Sequence, residues 1–274
     1  MPAHPSPTAP LVAQDLRRLA TRIRLNATHM VAIQGFGYLG QALSAAEIFA
    51  ALFGGGVFRP GWDRFCLSPG HYVIVPYAAA AEVGLIDPRE LEFYGQDGAL
   101  LEAISTERTP LMDVACGSLG QVLSGAIGFA LASRFAGDDR RVFAFLSDGE
   151  MEEGQVWEAA MFAAHHKLDR LTVIIDANNS QVDGTVTSVT TIDPIADKWN
   201  AFGWRVIELD GHDADRIAAA LQPTPGDDRP LVIVARTQIL GRLRSIPSTA
   251  DGHFIKLDPE LTRALVEELE ADLA

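Results

Sequence analysis

Hydrophobic positions in the first part of the chain repeat at helical spacing. Leu16, Leu19, Ile23 and Met30 recur every three or four residues with arginines between them, and they predict a helix over residues 11–33. This spacing places the apolar side chains on one face of the helix, which must pack against a core.

Glycine and proline divide the region that follows. Residues 35–40 predict a glycine-rich bend, and Ser44 with Glu47 predicts a capping box for a helix that ends near Phe53. Residues 54–70 hold five glycines and two prolines and predict a loop. Three more helices are predicted before residue 140: 71–84, a short helix that starts at Asp87–Pro88, and 117–135.

Continuous apolar runs alternate with helical segments in the second half. The runs predict strands at 142–146, 171–175, 204–209 and 231–235, and the segments predict helices at 154–167, 193–202, 213–222 and 258–272. Strand and helix alternating at these lengths are typical of βαβ units. The sequence therefore predicts an α/β fold, a parallel sheet flanked by helices, as one domain over residues 11–274.

Composition narrows the class of protein. The chain has 22 Lys+Arg against 36 Asp+Glu, a net charge of −14, which argues against a nucleic-acid surface. No apolar stretch reaches the roughly 18 residues of a membrane span, and residues 1–10 resemble a flexible lead-in rather than a signal peptide. Cys66 and Cys116 are too few for a disulfide framework, so we expect a cytoplasmic protein.

Candidate chemistry follows two predicted strands. Asp148 comes after the strand 142–146, and Asn178 comes after the strand 171–175. Asp–Gly and Asn–Asn are also common in ordinary turns, an alternative that these residues alone leave open. Side by side at adjacent strand ends, however, a carboxylate and an amide oxygen suit Mg²⁺ completed by ligand phosphates.

A second feature indicates the same type of ligand. Residues 117–121, Gly-Ser-Leu-Gly-Gln, open a predicted helix with small residues whose backbone N–H groups can receive phosphate oxygens. A glycine-rich helix start is more often a sign of close packing. Together with the predicted metal site, it favours a ligand that carries a diphosphate and a metal ion.

The stretch 147–184 resembles the thiamine diphosphate motif of transketolase. It reads SDGEMEEGQVWEAAMFAAHHKLDRLTVIIDANNSQVDG, with an acidic Asp-Gly pair and an asparagine about thirty residues later. Further segments resemble the family in the same order: Leu43–Ile48, Asp63–Phe65, Leu67–His71 and Gly117–Gln121. The resemblance spans about residues 20–255 and implies the thiamine-diphosphate-binding fold, as the domain that holds the diphosphate.

The resemblance also implies a cofactor site for thiamine diphosphate and Mg²⁺. The implied metal ligands are Asp148, Asn178 and the carbonyl of Ser180. The implied cofactor-binding residues are His71, Gly117, Ser118, Leu119, Asp148, Gly149, Glu150 and Asn178. The adjacent His165 and His166 point about 100° apart on a helix, so we do not expect them to bind one metal ion.

Catalytic roles are implied for four residues. His71 matches a histidine near the diphosphate and the reaction centre, and His253 matches a second catalytic histidine, although its surroundings depart from the usual Trp-His-Gly. Glu153 and Glu158 match glutamates that couple two active sites across a subunit interface, where we expect Met151, Trp157 and Met161 to form an apolar patch.

Departures from the family concern the substrate. Tyr38 stands where the family has a substrate-contacting histidine, and Ile104 lies where another is expected. Ser147 replaces the first glycine of the Gly-Asp-Gly motif. We therefore expect a donor or acceptor that carries fewer hydroxyl groups than the usual pentose phosphates.

The implied function is the transfer of a two-carbon ketol unit from a ketose to an aldehyde. The resemblance covers only the first domain of a transketolase, so we expect a C-terminal, pyrimidine-binding chain as partner, in a heterotetramer of two copies of each. The resemblance implies that this partner chain carries the glutamate that activates the cofactor. Two alternatives stay open: a subunit of another thiamine diphosphate enzyme, such as the first component of a 2-oxo acid dehydrogenase, and a non-catalytic paralogue. Leu43–Ile48 with Gly117–Gln121 favours transketolase.

Overall fold

The computed structural model describes residues 14–114 and 117–274. The predicted lead-in, the first residues of the predicted helix 11–33 and Cys116 lie outside the described residues. Within them, no helix is both long and apolar enough to cross a membrane.

The helices largely follow the predicted pattern. They are α1 (Leu16–Gln34), α2 (Leu39–Gly54), α3 (Ile74–Glu82), α4 (Val122–Ala136), α5 (Gly154–His165), α6 (Val186–Val189), α7 (Ile195–Ala201), α8 (Ala214–Ala220) and α9 (Pro259–Leu273). Short 3₁₀ turns are formed by Gly70–Val73, Pro88–Phe93 and Gly149–Glu152. The predicted helix that starts at Asp87–Pro88 is thus a 3₁₀ turn, in which Asp87 caps the backbone N–H of Arg89.

The strands form two sheets. They are β1 (Phe36–Gly37), β2 (Arg64–Leu67), β3 (Val142–Ser147), β4 (Leu171–Ala177), β5 (Arg205–Asp210), β6 (Leu231–Arg236) and β7 (Ile255–Lys256). Five strands pair in parallel in the order β2-β3-β4-β6-β5, and β1 pairs antiparallel with β7. The predicted α/β class with a parallel sheet is confirmed.

Alternate residues of the central strands pack on opposite faces of the sheet. On β3, Phe143 and Phe145 join a core with α1, α2 and α3, whereas Val142, Ala144 and Leu146 join a core with α4, α5 and α7. Both faces are buried, which explains why these strands read as continuous apolar runs rather than as alternating ones. Helices thus cover both faces of the five-stranded sheet.

Three details of the predicted pattern are wrong. The predicted loop 54–70 contains strand β2, whose four residues pair with β3 at the edge of the sheet. The predicted capping box fails because α2 begins at Leu39, which places Ser44 and Glu47 in the buried interior of the helix. Helix α4 begins at Val122, so the Gly117–Gln121 segment precedes the helix instead of forming its first turn.

Candidate functional site

Asp148 and Asn178 lie side by side at the carboxyl edge of the parallel sheet. β3 and β4 are paired with Ser147 opposite Asp176, so the two polar residues follow adjacent strand ends. The backbone N–H of Asn179 donates to Asp148 Oδ2 over 2.5 Å. The predicted neighbourhood of these residues is confirmed, and it is the position where ligands bind in open α/β sheets.

Asp148 is a buried carboxylate with few compensating groups. Only 3% of the residue is exposed, and its Oδ1 accepts a 2.8 Å hydrogen bond from the N–H of Gly149. Burial, and then the nearby negative charge of Asp176, raise its pKa to about 7. Within the described residues no salt bridge reaches Asp148. A bound cation would supply the missing positive charge, so the electrostatics fit a metal ligand.

Asn178 is held in one orientation. Its Nδ2 donates to Asp176 Oδ2 over 2.9 Å and to the hydroxyl of Tyr72 over 2.8 Å. Its Oδ1 accepts from the backbone N–H of Ser180 over 2.9 Å and keeps a second lone pair. The side-chain oxygen therefore faces away from Asp176, on the side where the chain continues to Ser180.

Asp176 accepts hydrogen bonds from several side chains at the carboxyl end of the sheet. No role is predicted for it from the sequence. It is fully buried, and its carboxylate accepts from Ser44 over 2.6 Å, from Tyr72 over 3.0 Å, and from Thr237 and Asn178. Burial raises its pKa, while these hydrogen bonds favour the ionised form. Ser44, predicted to cap a helix, instead binds this carboxylate from within α2. The position of Asp176 two residues before Asn178 does not by itself indicate its partners Ser44, Tyr72 and Thr237, which are distant along the chain.

The predicted donor set suits a hard cation. In the described part of the chain, no three histidine, cysteine or acidic side chains converge on a possible metal position. The predicted set is different in kind, because it takes one carboxylate, one amide oxygen and the carbonyl of Ser180. Asn179 has a φ of 57°, which asparagine tolerates, and this turns the chain between Asn178 and Ser180. Oxygen donors of these types are those that Mg²⁺ prefers.

A cavity of about 410 Å³ is lined by Ser147, Gly149 and Ser180, which are close along the chain to Asp148 and Asn178, whereas these two residues do not line it themselves. Predicted site residues that line it are His71, Gly117, Leu119, Gly149, Glu153, Ser180 and His253, together with Tyr38 and Ile104. A side chain at Gly149 would place its Cβ 2.9 Å from Gln181 Oε1, so the end of the Gln181 side chain would have to shift. The cavity brings residues from seven separate segments to one place.

The segment Gly117–Gln121 is anchored from below by Glu150. The N–H of Gly120 donates to Glu150 Oε1 over 2.7 Å, and Ser68 donates to the same oxygen. Glu150 is fully buried, and burial raises its pKa to about 7. Glu150 thus joins two loops and does not line the cavity, although a cofactor contact is predicted for it.

Three rings cluster at the other side of the cavity. The ring of Tyr38 lies 5.2 Å from His71 and 6.1 Å from His253, and the two histidine rings are 5.0 Å apart. Burial, and then the charge of His253, lower the pKa of His71 to about 3, and burial lowers the pKa of His253. Both imidazoles are therefore neutral near pH 7, able to donate one hydrogen bond and accept another.

Glu153 and Glu158 lie on exposed surface, at the start of α5 and on its outer face. The predicted apolar patch is wrong in two of its three members. Met151 is 1% exposed within the core, and Trp157 packs against Trp199 and Phe202. The exposed apolar side chains here are Met161, Phe162 and, at the end of α4, Phe135.

Residues 16–265 match the family described as transketolase, thiamine diphosphate binding domain. A transketolase family protein of Sinorhizobium fredii is 38% identical over 256 residues, which cover 90% of this chain and 92% of that protein. The 6-deoxy-6-sulfo-D-fructose transketolase subunit SqwG of a Clostridium species is 36% identical over 272 residues, covering 94% of this chain and 97% of that one. The crystal structure of transketolase from Campylobacter jejuni superposes with a TM-score of 0.81 at 25% identity, and covers 93% of this chain but 42% of that enzyme.

Fold and site together define a thiamine-diphosphate-binding α/β domain. The chain belongs to the transketolase family, as the domain that binds the cofactor's diphosphate. It is a subunit of a transketolase-like transferase, because relatives of nearly the same length are named transketolase subunits whereas the whole Campylobacter enzyme is more than twice as long.

Proposed function

We propose that this chain holds thiamine diphosphate through Mg²⁺ and works with a second chain to transfer a two-carbon ketol unit from a ketose to an aldehyde. The observation that carries the proposal is the placement of Asp148 beside Asn178 at adjacent strand ends, one and two residues along the chain from Gly149 and Ser180, which line the cavity. Asp148, Asn178 and the carbonyl of Ser180 hold the metal ion. Gly117, Ser118, Leu119 and Gly149 hold the diphosphate, with Glu150 as the anchor of the Gly117–Gln121 segment.

Thiamine diphosphate supplies the carbon nucleophile and electron sink for breaking and forming a bond next to a ketone. The chain's own side chains bind and orient. A buried Asp148 gains a cation in a site of low polarity, where the attraction is strong. His71 and His253 meet substrate oxygens as neutral rings, and either can move one proton at a substrate hydroxyl.

The substrate differs from the ordinary pentose phosphates. Tyr38 offers one hydroxyl beside His71, and Ile104, 44% exposed on the cavity wall, offers no polar atom. Each loss of a polar partner costs about 1–3 kcal/mol against a substrate that needs it. A specialised ketose or aldehyde with fewer hydroxyl groups fits this wall better.

The partner is a C-terminal, pyrimidine-binding chain. That chain would cover the cofactor end that this cavity leaves open and supply the activating glutamate. Glu153 and Glu158, both exposed, would lie at the interface that couples two active sites. A heterotetramer of two copies of each chain satisfies both contacts. A cytoplasmic location with Mg²⁺ available is part of this proposal.

The test is reconstitution with the polypeptide encoded by the adjacent reading frame. The mixture is assayed for ketol transfer with Mg²⁺ and thiamine diphosphate, over a panel of ketose donors and aldehyde acceptors. We expect transfer that depends on the cofactor, and none with Asp148→Ala. Oxidation of a 2-oxo acid in place of transfer would indicate the dehydrogenase alternative. Cofactor binding with no turnover on the whole panel would indicate a non-catalytic paralogue.

A further inference from the structure

Gln41, in the first turn of α2, makes two hydrogen bonds to one residue of a distant loop. Its side-chain Nε2 lies 3.3 Å from His253 Nδ1 and donates over 3.2 Å to the backbone carbonyl of His253. Gln41 is 1% exposed. Neither the hydrophobic pattern nor the family motifs draw attention to this residue.

The backbone carbonyl of His253 determines which end of the Gln41 side-chain amide lies beside it. A carbonyl oxygen only accepts, so the end of the amide beside it must be the NH₂ group. The same NH₂ group then faces His253 Nδ1, which must accept and cannot carry a proton. The proton of the neutral ring is therefore on Nε2, and Nε2–H is the donor left for a ligand in the cavity.

The loop that carries His253 is built against the start of α2. A Cβ on Gly40 would lie 1.8 Å from the carbonyl oxygen of Gly252, so the backbones touch at a point where only glycine fits. Gly37 pairs with Ile255 between β1 and β7. The N–H of His253 donates to Asp251 over 2.9 Å. Backbone contacts thus fix the loop, and Gln41 is the side chain that reaches the imidazole itself.

The side-chain amide of Gln41 also lowers the stability of the folded protein. Its Oε1 is buried and has no hydrogen-bond partner among residues 14–114 and 117–274. An unpaired buried acceptor lowers stability, and a leucine of similar size would avoid this. A glutamine at this position is explained by the two contacts that its NH₂ group makes with His253.

We propose that Gln41 is a positioning residue that holds His253 as the Nε2–H tautomer toward the cavity. The inference rests on the proposed function, because that function gives His253 its ligand. Burial keeps the ring neutral, so the choice of tautomer decides whether the ring presents a donor or an acceptor.

The test is long-range ¹H–¹⁵N correlation spectroscopy of the full chain with ¹⁵N-labelled histidines, near pH 7. The His253 signals are those that disappear in His253→Gln. We expect the wild-type ring as a single Nε2–H tautomer. Gln41→Glu, which puts acceptor oxygens against Nδ1, should shift the ring to the Nδ1–H form. Gln41→Leu should give averaged nitrogen shifts typical of a ring that exchanges between tautomers.

Gln34→Leu is the matched control, because Gln34 Nε2 makes a similar 2.8 Å bond to the carbonyl of Tyr94 from α1. It should leave the His253 signals unchanged, and circular dichroism should show that all variants are folded. An Nδ1–H ring in the wild type, or the same tautomer in Gln41→Glu and wild type, overturns the proposal. The measurement needs no turnover and no partner chain, so it can fail while the proposed function stands, and the reverse.

Discussion

The carboxylate of Asp176 accepts a 2.9 Å hydrogen bond from the side-chain amide of Asn178, two residues further along the chain. A carboxylate cannot donate when ionised, so this contact assigns the NH₂ group of Asn178 to the buried side and its oxygen to the opposite side. Asp176 thus orients the amide oxygen of Asn178 toward the side on which we propose that the metal ion binds.

Replacing Asp176 by Asn should weaken metal-dependent cofactor binding at least tenfold. An asparagine offers one oxygen to the four donors that now share the carboxylate, and its own NH₂ group would face one of them. Each buried group left unpaired costs about 1–3 kcal/mol. Calorimetric titration of thiamine diphosphate at fixed Mg²⁺ measures the effect. Asp169→Asn, at the opposite edge of the sheet, is the control, and equal affinities in the two variants would contradict this role.

Asp148 should make the metal-free chain less stable as the pH rises. Its folded pKa of about 7 lies above the ordinary 3.8, so the folded state holds the proton more tightly than the unfolded state. The free energy of unfolding therefore falls between about pH 4 and pH 7. This difference between the folded and the ordinary pKa corresponds to roughly 4 kcal/mol at most.

Asp148→Asn isolates this contribution, because Glu150 has a raised pKa in the same range and stays in both proteins. In urea titrations without metal, the variant should gain stability relative to wild type between pH 5 and pH 8. With Mg²⁺ and thiamine diphosphate, wild type should be stabilised and the variant not. A constant difference across this pH range would show that Asp148 is not the buried acid inferred here.

The parallel strands could be predicted because both faces of the sheet are buried, so that most residues of these strands are apolar. The predicted runs 142–146 and 171–175 are apolar except for Thr172, and each is followed by a polar residue, Ser147 or Asp176. Strand β2 could not be predicted in this way. Its four residues lie in a glycine- and proline-rich segment, and their pairing with β3 is a tertiary contact.

The candidate site likewise contains residues that could be predicted from the sequence and residues that could not. Asp148 and Asn178 could be found because each follows its strand in the chain, and the order of strands makes them neighbours. Gln41, Ser44 and Asp176 could not be assigned, because their roles depend on partners more than a hundred residues away. Ser44 is an example. The local pattern predicts a helix cap, whereas the buried side chain of Ser44 donates a hydrogen bond to Asp176 on β4.

His71 should stay neutral throughout the range in which the protein functions. Its pKa of about 3 lies below the ordinary 6.5, so the folded state is stabilised above pH 6.5 and loses this stability as the pH falls toward 3. Histidine NMR titration should show no protonation of His71 between pH 5 and pH 8. His71→Asn should lower kcat about a hundredfold in the reconstituted enzyme without moving its pH profile. A limb of the profile that disappears in this variant would contradict a neutral role.

Tyr38 should set the preference between ketose donors. Its ring lies 5.2 Å from that of His71 on the cavity wall. Tyr38→His restores the ring nitrogens that the family presents to ketose hydroxyls, and we expect kcat/KM for xylulose 5-phosphate to rise about tenfold relative to the best natural donor. Tyr38→Phe, which removes only the hydroxyl, is the control and should give no such gain. If wild type already prefers xylulose 5-phosphate and ribose 5-phosphate by a wide margin, the substrate proposal is wrong.

The isolated chain should bind the cofactor weakly and turn nothing over. The rim of the cavity exposes Val182 at 79% and Val189 at 43%, as expected where another chain binds. A second apolar area, Phe135 with Met161 and Phe162, lies apart from the cavity on α4 and α5. Two separate apolar areas suit an assembly in which each chain has more than one neighbour.

Light scattering should therefore report self-association of this chain alone and a defined larger species with its partner. Transfer activity should appear on mixing and saturate near one-to-one, and a Phe135→Glu variant should weaken assembly while leaving the cavity intact. Full ketol transfer by this chain without a second polypeptide would refute the two-chain assignment.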